Sequence, residues 1–350
     1  MTNGRRPSSA LTALVVSSRY LPVYLALLLL VSISAIWAPA TLTGPGLNSI
    51  APFGTFLAIA SLGQMLVIMT GGIDLSVPGT FTMGAIVMVG VSQGSDDRIW
   101  IGVVAVVVVA VLIGLVNGVL IGGLNLNALI VTLAVGQVVA GLVNRYHKTF
   151  SIQSSIPEGF SDWMSTRYLG VTRTFWIGVV ITALLIIGFR YTTVGRRFQA
   201  IGANPNASRV NGLRVNLYQI SAYVGAAVLY AIAGMLLAAV LRIPGVTIGG
   251  PYLLGPIAAV VIGGASLTGG LASPLSTWAA AFFLAGLSQM MLVMGLPTSL
   301  QFVVFGLVII GGMLVSGDRI IKTVERTLRE RRRPRKTNPD MATTSAGPDG

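Results

Sequence analysis

Few residues in the apolar part of this chain could do acid–base or ligand chemistry. Asp74, in MTGGIDLSVPG (69–79), is the only acidic residue between the N-terminus and Asp96. The single histidine, His147, cannot hold a metal by itself, and its position is typical of a polar loop residue. Because the chain has no cysteine, a disulfide or cysteine metal site is excluded. We expect no metal and no cofactor in this chain.

Motifs of catalysis are missing as well. None of the three lysines, Lys148, Lys322 and Lys336, follows a glycine, so the sequence has no P-loop for ATP. It also has no H-E-x-x-H zinc motif and no G-x-S-x-G nucleophile motif. The sequence therefore predicts a chain that is not an enzyme.

The elements that must position Asp74 are membrane helices. Charged residues are 9% of the 350 residues, against about a quarter in soluble domains, and the mean hydropathy is +0.82. Backbone amides in lipid must be paired internally, so an all-α, polytopic fold is expected. Six stretches lack Asp, Glu, Lys and Arg, and at about 20 residues per span they hold ten helices. These stretches are Tyr20–Ile73, Leu75–Ser95, Ile99–Asn144, Thr174–Phe189, Val215–Leu241 and Ile243–Gly317.

Glycine- and proline-rich segments mark the breaks between and within these spans. They are TLTGPGLNS (41–49), GGLNLNA (122–128), IPGVTIGGP (243–251), GGASLTGG (263–270) and MGLPTS (294–299). The first span is expected to be retained, because its apolar run is too long for a signal peptide. Many of the 43 glycines lie inside the spans, which predicts closely packed helices.

The basic residues predict the orientation of the chain. If ten spans place both termini on one side, that side receives 17 of the 23 lysines and arginines. The arginine-rich side is cytoplasmic by the positive-inside rule, and the loop 145–173 then lies outside. Three regions follow: a cytoplasmic segment 1–19, a transmembrane domain 20–317, and a basic cytoplasmic tail 318–350. In the tail, Ile320, Val324 and Leu328 predict a short surface helix before a disordered end.

The segment 190–216, with five arginines and no acid, is predicted to form two short helices on the cytoplasmic face. Thr192 or Thr193 can cap the first, which is expected to end at Gly202. Asn204 can cap the second, with Pro205 at its first position and Gly212 after its end. A docking element for a partner and an ordinary loop lying on lipid headgroups both fit this pattern.

Uncharged polar residues are frequent in the spans. For each of them, a hydrogen bond between helices is one interpretation. Together they could also line a route for a neutral, hydroxyl-rich solute, and the residues selected for such a pathway are Gln64, Asp74, Ser76, Asn127 and Gln137. An ion-coupled carrier usually has several ionisable residues in its spans, and Asp74 alone is thin support for one.

Four stretches resemble the membrane permeases of bacterial ATP-binding-cassette importers for monosaccharides, of the ribose, xylose and galactose type. They are TGGIDLSVPG (70–79), NALIVTLAVGQVVAGL (127–142), TTVGRRFQAIGANPNASRVNGLRV (192–215) and GGPYLLGPIAAVVIGGASLTGGLASP (249–274). The chain departs from the family pattern at Pro78, where glycine is common, and at Ala128, where proline is common. The similarity covers roughly residues 20–315, and the four stretches occur in the same order as in that family.

The resemblance implies a transport subunit that works with cytoplasmic ATPase subunits, an extracytoplasmic sugar-binding protein and a second permease subunit. The residues implied to couple it to the ATPase are Gly195, Arg196, Arg197, Phe198, Ile201, Gly202, Asn204, Pro205 and Gly212. Among these, direct contacts are expected from Arg196, Arg197, Phe198, Ile201 and Asn204. A permease for nucleosides or a sugar-derived signal, and a gradient-driven carrier that works alone, stay open.

Gly71 and Gly72 permit a break between two spans, and Ser76 can cap the helix that restarts near Val77–Pro78. Asp74 would then lie at the start of that helix, where the positive end of the helix dipole stabilises it.

One spacing recurs: GGASLT (263–268) repeats the G-G-x-x-L-[ST] pattern of 71–76. Duplicated halves and chance similarity between glycine-rich segments both account for it. Both motifs fall on the same side when the ten spans are counted, so they need not be equivalent positions of an inverted repeat.

Overall fold

The computed structural model describes residues 20–149 and 155–316 and consists almost entirely of helices. The α-helices are α1 Leu21–Trp37, α2 Gly44–Met69, α3 Val77–Ser92, α4 Ile99–Gly118, α5 Ala128–Thr149, α6 Glu158–Ser165, α7 Arg173–Tyr191, α8 Thr193–Ala203, α9 Pro205–Val210, α10 Val215–Leu241, α11 Gly255–Ile262, α12 Pro274–Val293 and α13 Thr298–Ser316. A hairpin of β1 Arg167–Tyr168 and β2 Val171–Thr172, which the sequence did not predict, precedes α7. The all-α, polytopic prediction is confirmed for the described part of the chain.

Six helices of the described part are long and apolar enough to cross a membrane: α2, α4, α5, α7, α10 and α12. The other predicted spans correspond to the apolar helices Leu21–Trp37, Val77–Ser92 and Gly250–Ile262 and to the apolar stretch Ser299–Val308 within α13. Ten apolar helices therefore occupy the predicted positions, but only six of them meet the length and hydropathy of a span, so the count of about ten spans stays a prediction. The segment 1–19 and the predicted tail helix lie outside the described residues.

Two helices form the centre of the bundle. We compare the 18-residue apolar stretch of each helix that could cross a membrane. Of this stretch, 89% is buried in α2 and 67% in α10, but only 17% in α7. Helix α10 packs on α2, α3 and α4, while α5 and α7 leave most of their apolar surface outward. Apolar residues on outer helices suit contact with lipid, so α2 and α10 serve as the scaffold that positions the turns between spans.

Glycine allows the closest of these contacts, as the span composition predicted. Helices α3 and α10 meet where a Cβ on Gly84 would overlap the Ala231 carbonyl and a Cβ on Gly234 would overlap the Phe81 carbonyl. No side chain larger than hydrogen fits at either position without moving a helix backbone. The two helices therefore approach each other through their backbones.

Each predicted glycine- or proline-rich break interrupts a helix in the structure. The chain leaves helical geometry between α1 and α2, after the π-helical turn Val119–Gly123, between α10 and α11, at 263–273 and at 295–297. Gly71 has a φ of +85°, which favours glycine, and it begins the turn that contains Asp74.

Candidate functional site

Helix α8 lies on the bundle with one face inward and one face outward. Phe198 and Ile201 are 6% and 0% exposed, whereas Arg196 and Arg197 are exposed. The Phe198 ring is held edge-on between Phe189 of α7, at 5.6 Å between centroids, and Tyr218 of α10, at 5.2 Å. Two buried apolar residues three positions apart on one helix face fix its rotation, so the arginines must point away from the bundle.

This burial corrects one part of the sequence interpretation. Phe198 and Ile201 were expected to contact a partner directly, but their side chains pack inside the chain. Arg196, Arg197 and Asn204 remain on the accessible surface. Gly195 is buried against the Phe189 backbone at the start of the helix. The inward residues are therefore anchors for α8, and the outward ones are its free surface.

The backbone of α8 meets the two glycine-rich turns at Gly202. The Gly270 N–H donates to the Met69 carbonyl (3.0 Å), so the turn after α2 and the loop before α12 are joined directly. Gly202 lies over this junction, where a Cβ would overlap the Met69 carbonyl oxygen and lie 2.9 Å from Gly270 Cα. The two segments with repeated spacing are therefore joined beside α8. Segment 71–76 begins just after Met69, and segment 263–268 ends just before Gly270. We call the backbone contact of Met69, Gly202 and Gly270 the glycine junction.

The predicted helix ends are confirmed in part. Asn204 Oδ1 accepts the Ala207 N–H (3.0 Å), Pro205 follows it as the first residue of α9, and Gly212 has a φ of +77° just beyond the helix. The first helix was expected to end at Gly202 but continues to Ala203, because Gly202 is packed at the glycine junction rather than free to turn. Thr192 occupies the N-cap position, but its hydroxyl donates back to the Gly188 carbonyl (2.5 Å) instead of capping α8.

Asp74 lies in a buried polar network just beyond this junction. Its Oδ1 accepts the Ser76 N–H (2.8 Å) and the Ser76 hydroxyl (2.6 Å), and Asn117 Nδ2 of α4 donates to the same hydroxyl (3.0 Å). Ser76 occupies the N-cap position of α3 but makes no capping bond, because its hydroxyl is directed to Asp74. The predicted cap is therefore wrong, and the carboxylate of Asp74 satisfies a backbone donor at the helix start instead.

Gln64 of α2 ties the same turn to the centre of the bundle. Its amide matches the Asp74 backbone when the amide oxygen accepts from the Asp74 N–H (3.1 Å) and the nitrogen donates to the Asp74 carbonyl (3.1 Å). The Tyr230 hydroxyl of α10 lies 2.8 Å from that amide. Gln64, Asp74 and Ser76 are each 0% exposed. The structure therefore brings these three together as a packed network and not as the wall of an open route.

The other two residues proposed for the pathway lie elsewhere. Asn127 Oδ1 accepts the N–H groups of Leu129 (3.0 Å) and Ile130 (3.3 Å), so it caps the start of α5. Gln137 is exposed on the outer face of α5. Neither side chain joins the network around Asp74.

A cavity that the sequence selection missed lies between α2, α10, α12 and α13. It has a volume of about 520 Å³. Its polar lining consists of Ser49, Ser288, Gln289 and Gln301, and its aromatic lining of Phe53, Tyr252 and Phe305. Gln289 and Gln301 were visible as polar residues in apolar spans, but only the pairing of α12 with α13 shows that they share one wall. No charged residue lines the cavity.

Metal binding finds no support among residues 20–149 and 155–316, where no three His, Asp or Glu residues are grouped as ligands. The network around Asp74 is hydrogen-bonded through serine, asparagine and glutamine. These hydrogen bonds hold the turn that contains Asp74 in place between α2, α3 and α4.

The known proteins that this chain resembles are all described as permease components of transport systems. Residues 46–313 match the family described as "Branched-chain amino acid transport system / permease component". The ribose import permease protein RbsC of Escherichia coli (strain K12) is 31% identical over 299 residues, which cover 84% of this chain and 92% of that protein. The fructose import permease protein FruF of Bifidobacterium longum is 31% identical over 274 residues, covering 77% and 76%. The autoinducer 2 import system permease protein LsrC of Enterobacter sp. (strain 638) is 28% identical over 306 residues, covering 87% and 88%. No solved structure matches the chain.

Proposed function

Since the chain belongs to the family described as branched-chain amino acid transport system / permease component, we propose that it is the transmembrane subunit of an importer for a monosaccharide, driven by separate ATPase subunits. The family is one of transport components, so the chain is not an enzyme, and its apolar helices make it a multi-pass membrane protein. The single observation that carries the mechanism is the seating of α8, with an apolar face on the glycine junction and an arginine face outward.

The outward face of α8 suits the docking of a cytoplasmic ATPase. Arg196 and Arg197 are exposed, and Arg197 also donates to the Tyr218 hydroxyl (3.3 Å), which keeps that side chain close to the surface. Exposed arginines provide planar donors for carboxylates on a partner protein. We place the nucleotide-driven motion of the partner on this face.

The inward face gives the motion a path into the membrane. Gly202 touches Met69, the last residue of α2, and Gly270, which precedes α12. A displacement of α8 must move these backbone segments, because no flexible side chain lies between them. Helices α2 and α12 both contribute to the wall of the 520 Å³ cavity. Movement of α8 would therefore change the shape of that cavity and switch access from one side to the other.

A neutral, hydroxyl-rich solute fits the lining of the cavity. Gln289 and Gln301 supply amide donors and acceptors, Ser49 and Ser288 supply hydroxyls, and a charged lining side chain is lacking. The relatives named for ribose and fructose import favour a monosaccharide. The relative named for autoinducer 2 import keeps a sugar-derived signal as the second candidate.

The remaining partners and the orientation follow from the exposed surface and the charge pattern. Gln137 and the small residue Gly141 lie on the exposed face of α5, where an amide in contact with lipid is unfavourable, and this supports contact with a second permease subunit. A binding protein would deliver the sugar at the opposite end from α8. The arginine content of 190–216 supports a cytoplasmic position for that segment and, with ten spans, for both termini in a bacterial cell membrane.

Two single substitutions test the proposal, because the surface and anchor residues of α8 are now separated. Arg196→Ala removes an exposed donor and is expected to weaken co-purification of the ATPase and lower uptake, with the thermal stability of the chain unchanged. Phe198→Ala removes a buried ring. It is expected to weaken co-purification and uptake and also to lower the free energy of unfolding by about 3–5 kcal/mol. Arg167→Ala, in the β-hairpin outside the segment 190–216, is the matched control for a lost exposed arginine.

The outcome also decides between classes of transporter. Vesicles that contain the chain alone are expected neither to hydrolyse ATP nor to accumulate sugar. Accumulation of a sugar against its gradient by the chain alone would identify a secondary carrier and would contradict the proposal.

A further inference from the structure

An aromatic pocket lies at the end of α7 opposite to α8. Its volume is about 370 Å³. It is lined by Trp163, Tyr168, Arg173, Trp176, Ile177, Val180 and Ile181. The proposed transport role uses none of these residues. We call it the α7 pocket.

The upper part of the α7 pocket is built by hydrogen bonds and ring contacts. The Trp176 indole N–H donates to the Tyr168 carbonyl (3.0 Å), and the two rings meet edge-on at 6.2 Å. The Arg173 N–H donates to the Thr166 carbonyl (3.0 Å), which ties the start of α7 to the hairpin. These contacts between protein groups hold the upper part of the pocket in shape.

The charge at the pocket is positive. The Arg173 guanidinium lies 5.0 Å from the centroid of the Trp163 ring, which orders it at the rim. Asp162, next to Trp163, is paired with Arg242 at 2.8 Å. Within residues 20–149 and 155–316 no carboxylate forms an ion pair with Arg173. An anion at the rim would meet one ordered arginine with its hydrogen-bond donors available.

The lower part of the pocket is aliphatic and continues along the membrane-facing side of α7. Ile177, Val180 and Ile181 follow Arg173 at helical spacing, so the four residues share one face. Only 17% of the 18-residue apolar stretch of α7 is buried, and Val180 is 57% exposed. A polar partner would offer this face no apolar surface to pack against. An acyl chain would pack along the three aliphatic side chains.

We propose that the α7 pocket binds one phospholipid with an anionic headgroup. The phosphate lies at Arg173, the glycerol region lies among Trp163, Tyr168 and Trp176, and one acyl chain follows Ile177, Val180 and Ile181. Tryptophan and tyrosine favour the interface between headgroups and hydrocarbon, and an arginine there pairs with phosphate. The bound lipid fixes the hairpin and the start of α7 at the membrane surface.

The first test measures lipid retention by the purified full-length chain. Mixed phosphatidylglycerol and phosphatidylcholine are added in mild detergent, and bound lipid is counted by native mass spectrometry. The chain is expected to retain one phosphatidylglycerol in preference to phosphatidylcholine. Arg173→Gln should lower that retention roughly tenfold, the ratio expected for a lost hydrogen bond to a charged group. Arg173→Lys should keep most of it, and Arg167→Gln, an exposed arginine of the same hairpin outside the pocket, should keep all of it.

A second measurement does not depend on the folding of the Arg173 variants. Phosphatidylglycerol with brominated acyl chains should quench the fluorescence of the chain more than brominated phosphatidylcholine does. This difference should shrink in Trp176→Phe and disappear when Trp163→Phe is added, and both changes keep an aromatic ring. Equal quenching by the two lipids, or equal retention in Arg173→Gln and the unaltered chain, would overturn the proposal. If Arg173→Gln no longer bound the extracytoplasmic binding protein but still retained the lipid, the pocket would be a site for that protein. This result would also overturn the proposal.

Discussion

Replacing Gly202 with alanine should uncouple α8 from the membrane helices. A Cβ at this position overlaps the Met69 carbonyl oxygen and lies 2.9 Å from Gly270 Cα, and all of these neighbours are backbone atoms. Backbone atoms cannot rotate aside, so α8 must lift from the glycine junction. Phe198 and Ile201, buried on the same side, would lose part of their packing as it lifts.

The size of the effect follows from the cost of overpacking. An extra methyl group in a well-packed site costs about 1–3 kcal/mol. If this cost falls on the states in which α8 is seated, uptake should fall by roughly fivefold to more than a hundredfold, since about 1.4 kcal/mol is a factor of ten. ATP hydrolysis by the partner should lose its stimulation by substrate in the same variant.

The assay is sugar uptake into proteoliposomes that hold the assembled importer, with ATP hydrolysis measured in parallel. Gly188→Ala is the matched control, because it lies on α7 near the same end and a Cβ there has nothing within 4 Å. The control should transport like the unaltered chain. Uptake by Gly202→Ala within twofold of the unaltered chain would refute the argument that the glycine junction transmits the movement of α8.

Three further predictions concern the network, the cavity and the helix packing. Asp74→Ala leaves the Ser76 N–H and hydroxyl without their acceptor and should lower the free energy of unfolding by about 2 kcal/mol or more, while Asp74→Asn, which keeps an acceptor oxygen, should lose less; equal thermal stability of the two would contradict the role given to the carboxylate. Replacing Gln289 and Gln301 together with leucine should reduce sugar uptake strongly while the ATPase still co-purifies, and unchanged uptake would move the solute route away from this cavity. Gly234→Ala places a Cβ on the Phe81 carbonyl and should cost about 1–3 kcal/mol of stability by thermal unfolding, whereas Gly306→Ala, with open space around it, should not.

Local rules predicted the parts of the fold that depend on local chemistry. The breaks between helices follow glycine and proline because these residues cannot continue a helix at low cost. The Asn204 cap with Pro205 behind it was predictable because both partners lie within four residues. The positions of the ten apolar helices follow from where charge is excluded, although only six of them are both long and apolar enough to cross a membrane.

The errors arose where distant segments override a local preference. Ser76 has the right type and position for a cap, but Asp74, held by Gln64 of another helix, takes its hydroxyl. Gly202 is a good stop signal, yet its missing side chain serves contact with Met69 and Gly270. The resemblance implied direct partner contacts from Phe198 and Ile201 but could not show that their side chains pack inside the chain. Residues such as Gln289 and Gln301 share a cavity wall only because α12 and α13 pack together.

The exposed face of α8 can be tested directly, because the chain has no cysteine of its own. Ala200→Cys places a single thiol on that face, between Arg196 and Arg197 and the end of the helix. With a short maleimide–benzophenone reagent, which bonds the thiol to nearby C–H groups on illumination, the assembled importer should give a cross-link between residue 200 and the ATPase subunit, and Arg167→Cys, at the opposite end of α7, should give none. A cross-link from residue 167, or none from residue 200 in a complex that contains the ATPase, would contradict the account.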